Sequence, residues 1–298
     1  MKDLKIALIG LDTSHAIEFP RRMQAPDCEP EYRVDGLRTV SCMRFKTPFT
    51  NDVVLNERQK QLESWGVKVT ASFEEAVADC DAIMIEINDP AYHWDYFQKC
   101  AALGKPVFLD KPLAEDFAAG RKIADLAEAR QIKVMSCSSL RFSQNLESAC
   151  SAVPQPFQAY CYGPLGAAPA GESVVWYGVH SFEMMSRMMG RGALQIDARQ
   201  DASGVVAIVE YPGNRRGIVE LTNDAYAYGG TLRGKDANQS YIVDGSMIYT
   251  EQLRIIRTFF QTGSAPVSMA DSLEVIDLLD TAVRSCKAGR PVKMNQAK

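Results

Sequence analysis

Apolar and polar positions alternate along this chain in two different rhythms. In the first half, short β-rich runs are separated by longer stretches with helical spacing, the signature of a parallel sheet with crossover helices. Leu4–Ile9 reads as a buried first strand; it ends in Gly10 and leads through the polar residues Asp12, Thr13 and Ser14 into the apolar positions Ala16, Ile17 and Phe19 of a helix. Further strands are expected over residues 38–43, 67–70, 82–87, 106–109 and 133–136. Helices are expected over 56–65, 73–78, 92–103 and 115–130, with Ser72 introducing the second of these and Gly104 ending the third. Right-handed crossovers then bring the strand C-termini to one edge, so Gly10, Arg44, Asn88 and Lys111 should line a common crevice. After about residue 138 the rhythm changes to alternating runs typical of an antiparallel sheet, at 157–162, 194–198, 205–211, 216–221, 228–233 and 240–243. Helical spacing returns at 178–189, 249–261 and 272–286. The segment 163–171 is small and flexible in composition and is the candidate mobile loop beside a ligand.

Composition narrows the function classes. The 298 residues are 46% hydrophobic and 23% charged, enough for two ordinary cores, and 33 basic against 37 acidic side chains leave a formal charge of -4. That balance gives no electrostatic reason for a nucleic-acid or anionic-membrane partner, so a small-molecule substrate is expected. No uncharged run approaches a membrane span and the first apolar run is too short for a signal peptide, so the expected location is the cytoplasm. The eight cysteines are scattered, with no C-x-x-C pair and three histidines beside them; reduced thiols and no metal are expected.

The chemistry begins at Gly10, where only the first glycine of a G-x-G-x-x-G turn is present and Asp12 and His15 replace the other two. A helix N-terminus still favours an anion, and Thr13 and Ser14 offer hydroxyl donors. The competing reading is a strand-to-helix turn capped by Asp12 or Thr13 without any nucleotide. The segment Gly104-Lys105-Pro106-Val107-Phe108-Leu109-Asp110-Lys111-Pro112-Leu113-Ala114 is more specific. It resembles the G-K-x-V-x-x-E-K-P-L-A pattern of the Gfo/Idh/MocA family, the glucose-fructose oxidoreductase and inositol dehydrogenase relatives. Asn88-Asp89-Pro90 with His93, and Val292-Lys293 after the last helix, extend the resemblance over nearly the whole chain.

That resemblance implies a Rossmann doubly wound parallel sheet over 1–137, followed over 138–298 by an α+β domain with a mostly antiparallel open sheet for substrate binding and oligomerisation. It implies an NAD(P)-dependent oxidoreductase moving hydride between nicotinamide and a hydroxyl or carbonyl of a sugar, inositol or related polyol. It also implies a homodimer or homotetramer. Lys111 lies between nicotinamide and substrate in such proteins, where an ammonium can polarise the reacting oxygen, and Asp110 stands where the family has glutamate. Cofactor contacts are implied at Gly10, Asp12, Thr13, Ser14, His15, Arg44, Asn88, His93, Lys111 and Pro112. Val174 to Glu183 resembles the family's D-x-G-x-H-x-x-D segment, which makes His180 the proton-transfer candidate. Trp176 replaces the expected aspartate and Glu183 stands three residues after the histidine. Trp176 and Tyr177 are then an aromatic wall for substrate, or core filling with His180 as a helix cap.

No acid stands at the end of the second strand to take the ribose hydroxyls of NAD, whereas Arg44 and Lys46 suit the 2'-phosphate of NADP; both also fit as ordinary exposed cations. Because Asp12, His15 and Trp176 depart together, a Rossmann-family protein that binds a nucleotide or metabolite in a sensing or regulatory role is the alternative function.

Overall fold

The run Leu4–Ile9 forms β1 inside a six-stranded sheet in the computed structural model, which describes residues 3–223 and 225–295. β2 (Leu37–Met43), β3 (Lys68–Thr70), β4 (Ala82–Ile85), β5 (Val107–Leu109) and β6 (Val134–Met135) complete it in the order β3-β2-β1-β4-β5-β6. Every adjacent pair is parallel, and this order is that of the doubly wound sheet, with its switch point between β1 and β4. Ile6, Leu8 and Ile9 of β1 and Ile83, Met84 and Ile85 of β4 have no exposed surface. Both faces of these strands are covered, which is why they read as continuous apolar runs.

The crossover helices are α1 (His15–Gln24), α2 (Asp52–Ser64), α3 (Phe73–Val77), α4 (His93–Ala101) and α5 (Phe117–Ala129). Ser72 caps α3 by accepting the Glu75 amide. α2 begins at Asp52, earlier than its apolar spacing indicates, because the Asn51 side chain accepts the Val54 amide and the first turn faces solvent. Gly10 has a φ of +109°, and a Cβ there would lie 2.3 Å from the Glu86 carbonyl oxygen. The end of β1 passes so close to the end of β4 that only glycine fits.

A second compact unit comprises Ala114–Gly120, Cys137–Ile248 and Ala270–Lys298, while Tyr249–Met269 belongs with Met1–Leu113 and Arg121–Ser136 in the first. The second unit holds α6 (Gln144–Ala152), α7 (Ser173–Trp176), α8 (Val179–Met189) and most of α10 (Met269–Ala288); α9 (Ile248–Thr262) lies almost wholly in the first. Its sheet is built from β7 (Gln158–Pro164), β8 (Gln195–Asp201), β9 (Gly204–Tyr211), β10 (Arg215–Thr222), β11 (Gly229–Arg233), β12 (Asn238–Ile242) and β13 (Val292–Lys293). The order is β12-β11-β7-β10-β9-β8-β13, antiparallel throughout except for the parallel pair β7 and β10. β13 is two residues long, too short to carry an alternating signal. The segment expected to be a loop from 163 is strand as far as Pro164, and Leu165 after it is buried. Gly166 packs under Tyr177, where a Cβ would stand 3.1 Å from that ring. All eight cysteines are free, and no helix among the described residues is long and apolar enough to cross a membrane.

Candidate active site

The sheet's hydrogen bonding continues past the strand ends and fixes the residues that follow them along one edge. Gly10 N–H donates to the Met43 carbonyl at 3.0 Å, Arg44 N–H to Thr70 at 2.8 Å, Glu86 N–H to Ile9 at 2.8 Å and Asp110 N–H to Ile85 at 2.9 Å. Gly10, Arg44, Asn88 and Lys111 therefore share the C-terminal edge of the first sheet, where doubly wound folds bind ligands.

The altered loop behaves differently from its sequence. Asp12, expected beside phosphate or as a helix cap, is buried and turned inward: its carboxylate accepts the Thr47 hydroxyl at 2.6 Å and the Asn88 amide at 2.8 Å. Burial raises its pKa, and those two hydrogen bonds oppose the rise. Arg58 of α2 reaches the Leu11 carbonyl at 2.9 Å and sets its positive charge beside Asp12. The Thr13 hydroxyl accepts the His15 amide at 3.3 Å, and Ser14 makes no side-chain cap, so the first amides of α1 are not consumed by Asp12 or Ser14.

His15 is likewise turned into the protein. Its Nδ1 lies 3.0 Å from Asp110 Oδ1 and 3.8 Å from Glu86 Oε2, with its ring between Phe19 and Tyr249. Asp110 Oδ1 also accepts the Lys111 amide at 2.8 Å, and Asp110 Oδ2 stands 3.7 Å from Lys111 Nζ. Glu86 and Asp110 are 0% exposed, His15 3% and Lys111 6%. Lys111 is thus no solvated surface lysine. Burial pushes Asp110 up, but the charges of His15 and Lys111 and their hydrogen bonds outweigh it and hold the group well below the usual carboxylate range. Glu86 goes the other way: burial, then the neighbouring Asp110 charge, raises it well above its ordinary value despite Lys111. His15, Glu86 and Asp110 have the donor types of a metal site and ligand atoms within 4.8 Å of one another, although the Lys111 ammonium already stands beside Asp110. The Lys111-Pro112 peptide bond is cis.

His93, expected at the cofactor, is wholly buried at the start of α4, where Nε2 donates to the Ile87 carbonyl at 2.8 Å and Nδ1 faces the Leu113 carbonyl at 3.4 Å. Burial lowers its pKa. It ties the loops after β4 and β5 together. Arg44 and Lys46 border a cavity of about 270 Å³ beyond the ends of β2 and β3, lined also by Phe45, Asp52, Leu55, Gln59 and Thr70. The Arg44 guanidinium is held by Asn56 at 2.7 Å and by Gln59, and Lys46 pairs with Asp52 at 3.0 Å. Arg44 is half-buried and held, whereas Lys46 is an exposed cation in an exposed ion pair.

In the second unit His180 lies in the first turn of α8, with Nδ1 2.7 Å from the Ser138 hydroxyl and its ring edge-on to Tyr177 and Tyr228. Ser138 is itself fixed, because its amide donates to Glu183 Oε1 at 3.2 Å. Glu183 Oε2 receives Arg141 at 2.9 Å, and the same guanidinium donates to Ser186 at 3.2 Å. Burial raises the Glu183 pKa, and Arg141 opposes it. The imidazole thus meets a hydroxyl whose own amide is held by a buried ion pair. Trp176 and Tyr177 lie with ring centroids 5.2 Å apart, each half-buried.

Four of these residues have little signature in the sequence. Glu86 closes an apolar run, Arg58 sits in a polar helix, and Ser138 and Arg141 follow β6 outside any recognised pattern.

The doubly wound parallel sheet, with a glycine at its first crossover, a buried lysine after its fifth strand and a cavity beyond its second, is a Rossmann-like domain. Residues 52–137 match the model of the oxidoreductase family with NAD-binding Rossmann fold, GFO_IDH_MocA. The match begins after the altered loop and includes Glu86, Asn88, Asp110 and Lys111. The whole fold is shared with solved structures: myo-inositol 2-dehydrogenase from Lactobacillus plantarum (TM-score 0.79, 15% identity, 99% of this chain and 100% of that one). A myo-inositol dehydrogenase from Corynebacterium glutamicum ATCC 13032 gives 0.79 and 16%, over 99% and 100%. The Lactobacillus casei scyllo-inositol dehydrogenase with bound cofactor NAD(H) and scyllo-inositol gives 0.78 and 13%, over 98% and 99%.

Proposed function

We propose that this protein is an NAD(P)-dependent oxidoreductase acting on a CH-OH group of a sugar, inositol or related polyol. The observation that carries it is the burial of Lys111 beside Asp110 at the sheet edge, with two further ionisable side chains, His15 and Glu86, gathered behind it. Assembling four such groups away from water is costly, and sites that tune proton affinity are where proteins bear that cost.

The residues present fit a dinucleotide. Gly10 lets β1 turn closely past the end of β4 into α1, Asp12 and His15 are turned inward, and the cavity beside Arg44 suits the adenosine end. Gly10, Thr13, Ser14 and the start of α1 hold the pyrophosphate, with Arg58 supplying charge in place of the missing glycine amides. A nicotinamide held there would supply the hydride acceptor or donor. Lys111 polarises the reacting oxygen, Asp110 positions Lys111, and His180 transfers a proton under the hold of Ser138. Trp176 and Tyr177 present aromatic faces to the substrate. Steady reduction of NADP+ or NAD+ in the presence of myo-inositol, scyllo-inositol or a panel of aldoses tests this; no reduction with any polyol or aldose at enzyme excess contradicts it.

NADP is the preferred cofactor, because the end of β2 offers Arg44 and Lys46 and no free acid. Arg44→Ala is expected to weaken NADP+ at least tenfold, about 1.4 kcal/mol, and to leave NAD+ nearly unchanged. Equal losses for both cofactors in a fluorescence titration would remove Arg44 from the 2'-phosphate. The sheet face carrying Tyr160, Tyr162, Val206, Ile208 and Ile218 is only partly covered within the chain and suits a homodimer or homotetramer of a cytoplasmic enzyme. Sedimentation velocity at micromolar concentration should show no monomer; a monomer sinks the assembly.

A further inference from the structure

Glu86 is the residue that the proposed chemistry leaves unused. It ends the central strand pair, directly after β4, and is 0% exposed. Among the described residues neither of its carboxyl oxygens has a hydrogen-bond partner, and the same holds for Asp110 Oδ2. Three carboxyl oxygens without hydrogen bonds in one buried space are costly, and a proton shared among them lowers that cost. The groups that face Glu86 come from every element around it: His15 from α1, Asp12 from the loop before it, and Asp110 and Lys111 after β5. Tyr249 of α9 packs on the His15 ring.

Charge decides what occupies that space. Lys111 and Asp110 cancel, and His15 gives its Nδ1 to Asp110. A second ionised carboxyl at Glu86 would stand buried beside Asp110 with no hydrogen bond of its own and with His15 Nδ1 3.8 Å away, whereas a neutral acid sheds that cost.

Resting on Lys111 as the group at the reacting oxygen, we infer that Glu86 is the proton store of Lys111. It gives up its proton when the oxidised cofactor brings positive charge to the site, and takes the proton of the reacting hydroxyl, by way of Lys111 Nζ and Asp110 Oδ2, when that charge is removed. In alcohol oxidation the substrate C–H bond breaks with its electron pair leaving as hydride for the nicotinamide. One Lys111 N–H bond breaks and an O–H bond forms at Asp110 Oδ2; the substrate O–H bond breaks and its proton restores the N–H bond at Lys111; the Asp110 O–H bond then breaks and an O–H bond forms at Glu86. The proton produced by the overall reaction is the one Glu86 released beforehand. Lys111 Nζ is 3.7 Å from Asp110 Oδ2, and Glu86 and Asp110 have oxygens within 4.8 Å; one water or a small side-chain rotation closes each gap. Glu86 touches no substrate and acts through Lys111.

The effect on stability has a definite sign. Glu86 binds its proton more tightly in the folded chain than in the unfolded one, so its contribution is largest below the ordinary glutamate range and is lost as pH rises toward its raised value. Asp110, shifted down, loses its contribution only in strong acid and is silent in that window. Stability of the wild type should therefore fall with rising pH more steeply than that of Glu86→Gln.

The deciding experiment uses the intact chain and needs no substrate. Calorimetry of NADP+ and NADPH binding in buffers of different ionisation enthalpy counts protons released. NADP+ should release more than NADPH, Glu86→Gln should abolish the difference while keeping affinity for NADPH, and Glu86→Asp should restore part of it. An infrared pH titration should show a buried carboxylic-acid band at neutral pH that is missing in Glu86→Gln. Equal proton release by wild type and Glu86→Gln, or an ionised Glu86 at neutral pH, overturns the store and leaves the oxidoreductase standing. A stoichiometric metal in the purified protein also overturns it, since Glu86 would then be a ligand. If neither cofactor binds, the oxidoreductase and the store fall together. On any polyol that is turned over, Glu86→Gln should lower the rate about 10²-fold and flatten its pH profile.

Discussion

Lys111→Ala is expected to lower turnover by about 10²- to 10³-fold, the cost typical of losing one charge-stabilising donor at a reacting oxygen. The loss should appear in kcat more than in KM, because an ammonium that steadies developing alkoxide charge contributes most in the transition state. Cofactor affinity should change little. The substitution also strands Asp110 beside Glu86 without its cation, 3.7 Å away in the intact protein. A lower melting temperature is therefore expected as well, and Lys111→Met, which keeps the aliphatic stem, separates the two effects. A sensing protein built on the same fold would have no turnover to lose and would keep its ligand affinity. A variant that retains wild-type turnover would place the reacting oxygen elsewhere.

Arg141→Met should be the most destabilising change in the second unit, by roughly 3–5 kcal/mol, the cost of leaving one partner of a buried ion pair alone. Arg141 donates to Glu183 and Ser186, and Glu183 in turn holds the Ser138 amide. Loss of the guanidinium leaves a carboxyl that is already raised by burial without its cation. Glu183→Gln keeps the shape and should cost less. Both should also loosen His180, whose Nδ1 rests on the Ser138 hydroxyl. Chemical denaturation gives the first quantity, and the His180 ring resonances in nuclear magnetic resonance give the second. An Arg141→Met chain as stable as wild type would mean that the pair contributes nothing net.

The architecture was legible because it rests on periodicity. Leu4–Ile9 is buried on both faces and reads so, and the change to alternation after residue 138 marks a real change of sheet. The parallel pair β7 and β10 was not legible, since strand direction depends on how many elements intervene and not on local pattern. At the site, Gly10 and Lys111 stood out because each has a backbone or motif reason to be there. Asp12 and His15 read as cofactor contacts in place of two glycines, because residue type does not reveal which way a side chain turns; Thr47, Asn88 and Asp110 turn them inward. Glu86 was invisible for the same reason. A carboxylate at the end of an apolar strand ordinarily points to water, and only the tertiary fold shows it enclosed with Asp110 and His15.

The most direct test of the account is a fluorescence titration of the intact chain with NADPH and NADH at neutral pH. Saturable binding with one site per chain, a Kd below about 1 mM for both and a lower Kd for NADPH is the predicted result. No saturation by either cofactor up to millimolar concentration would contradict the proposal that the crevice after β1, β2, β4 and β5 serves a nicotinamide dinucleotide.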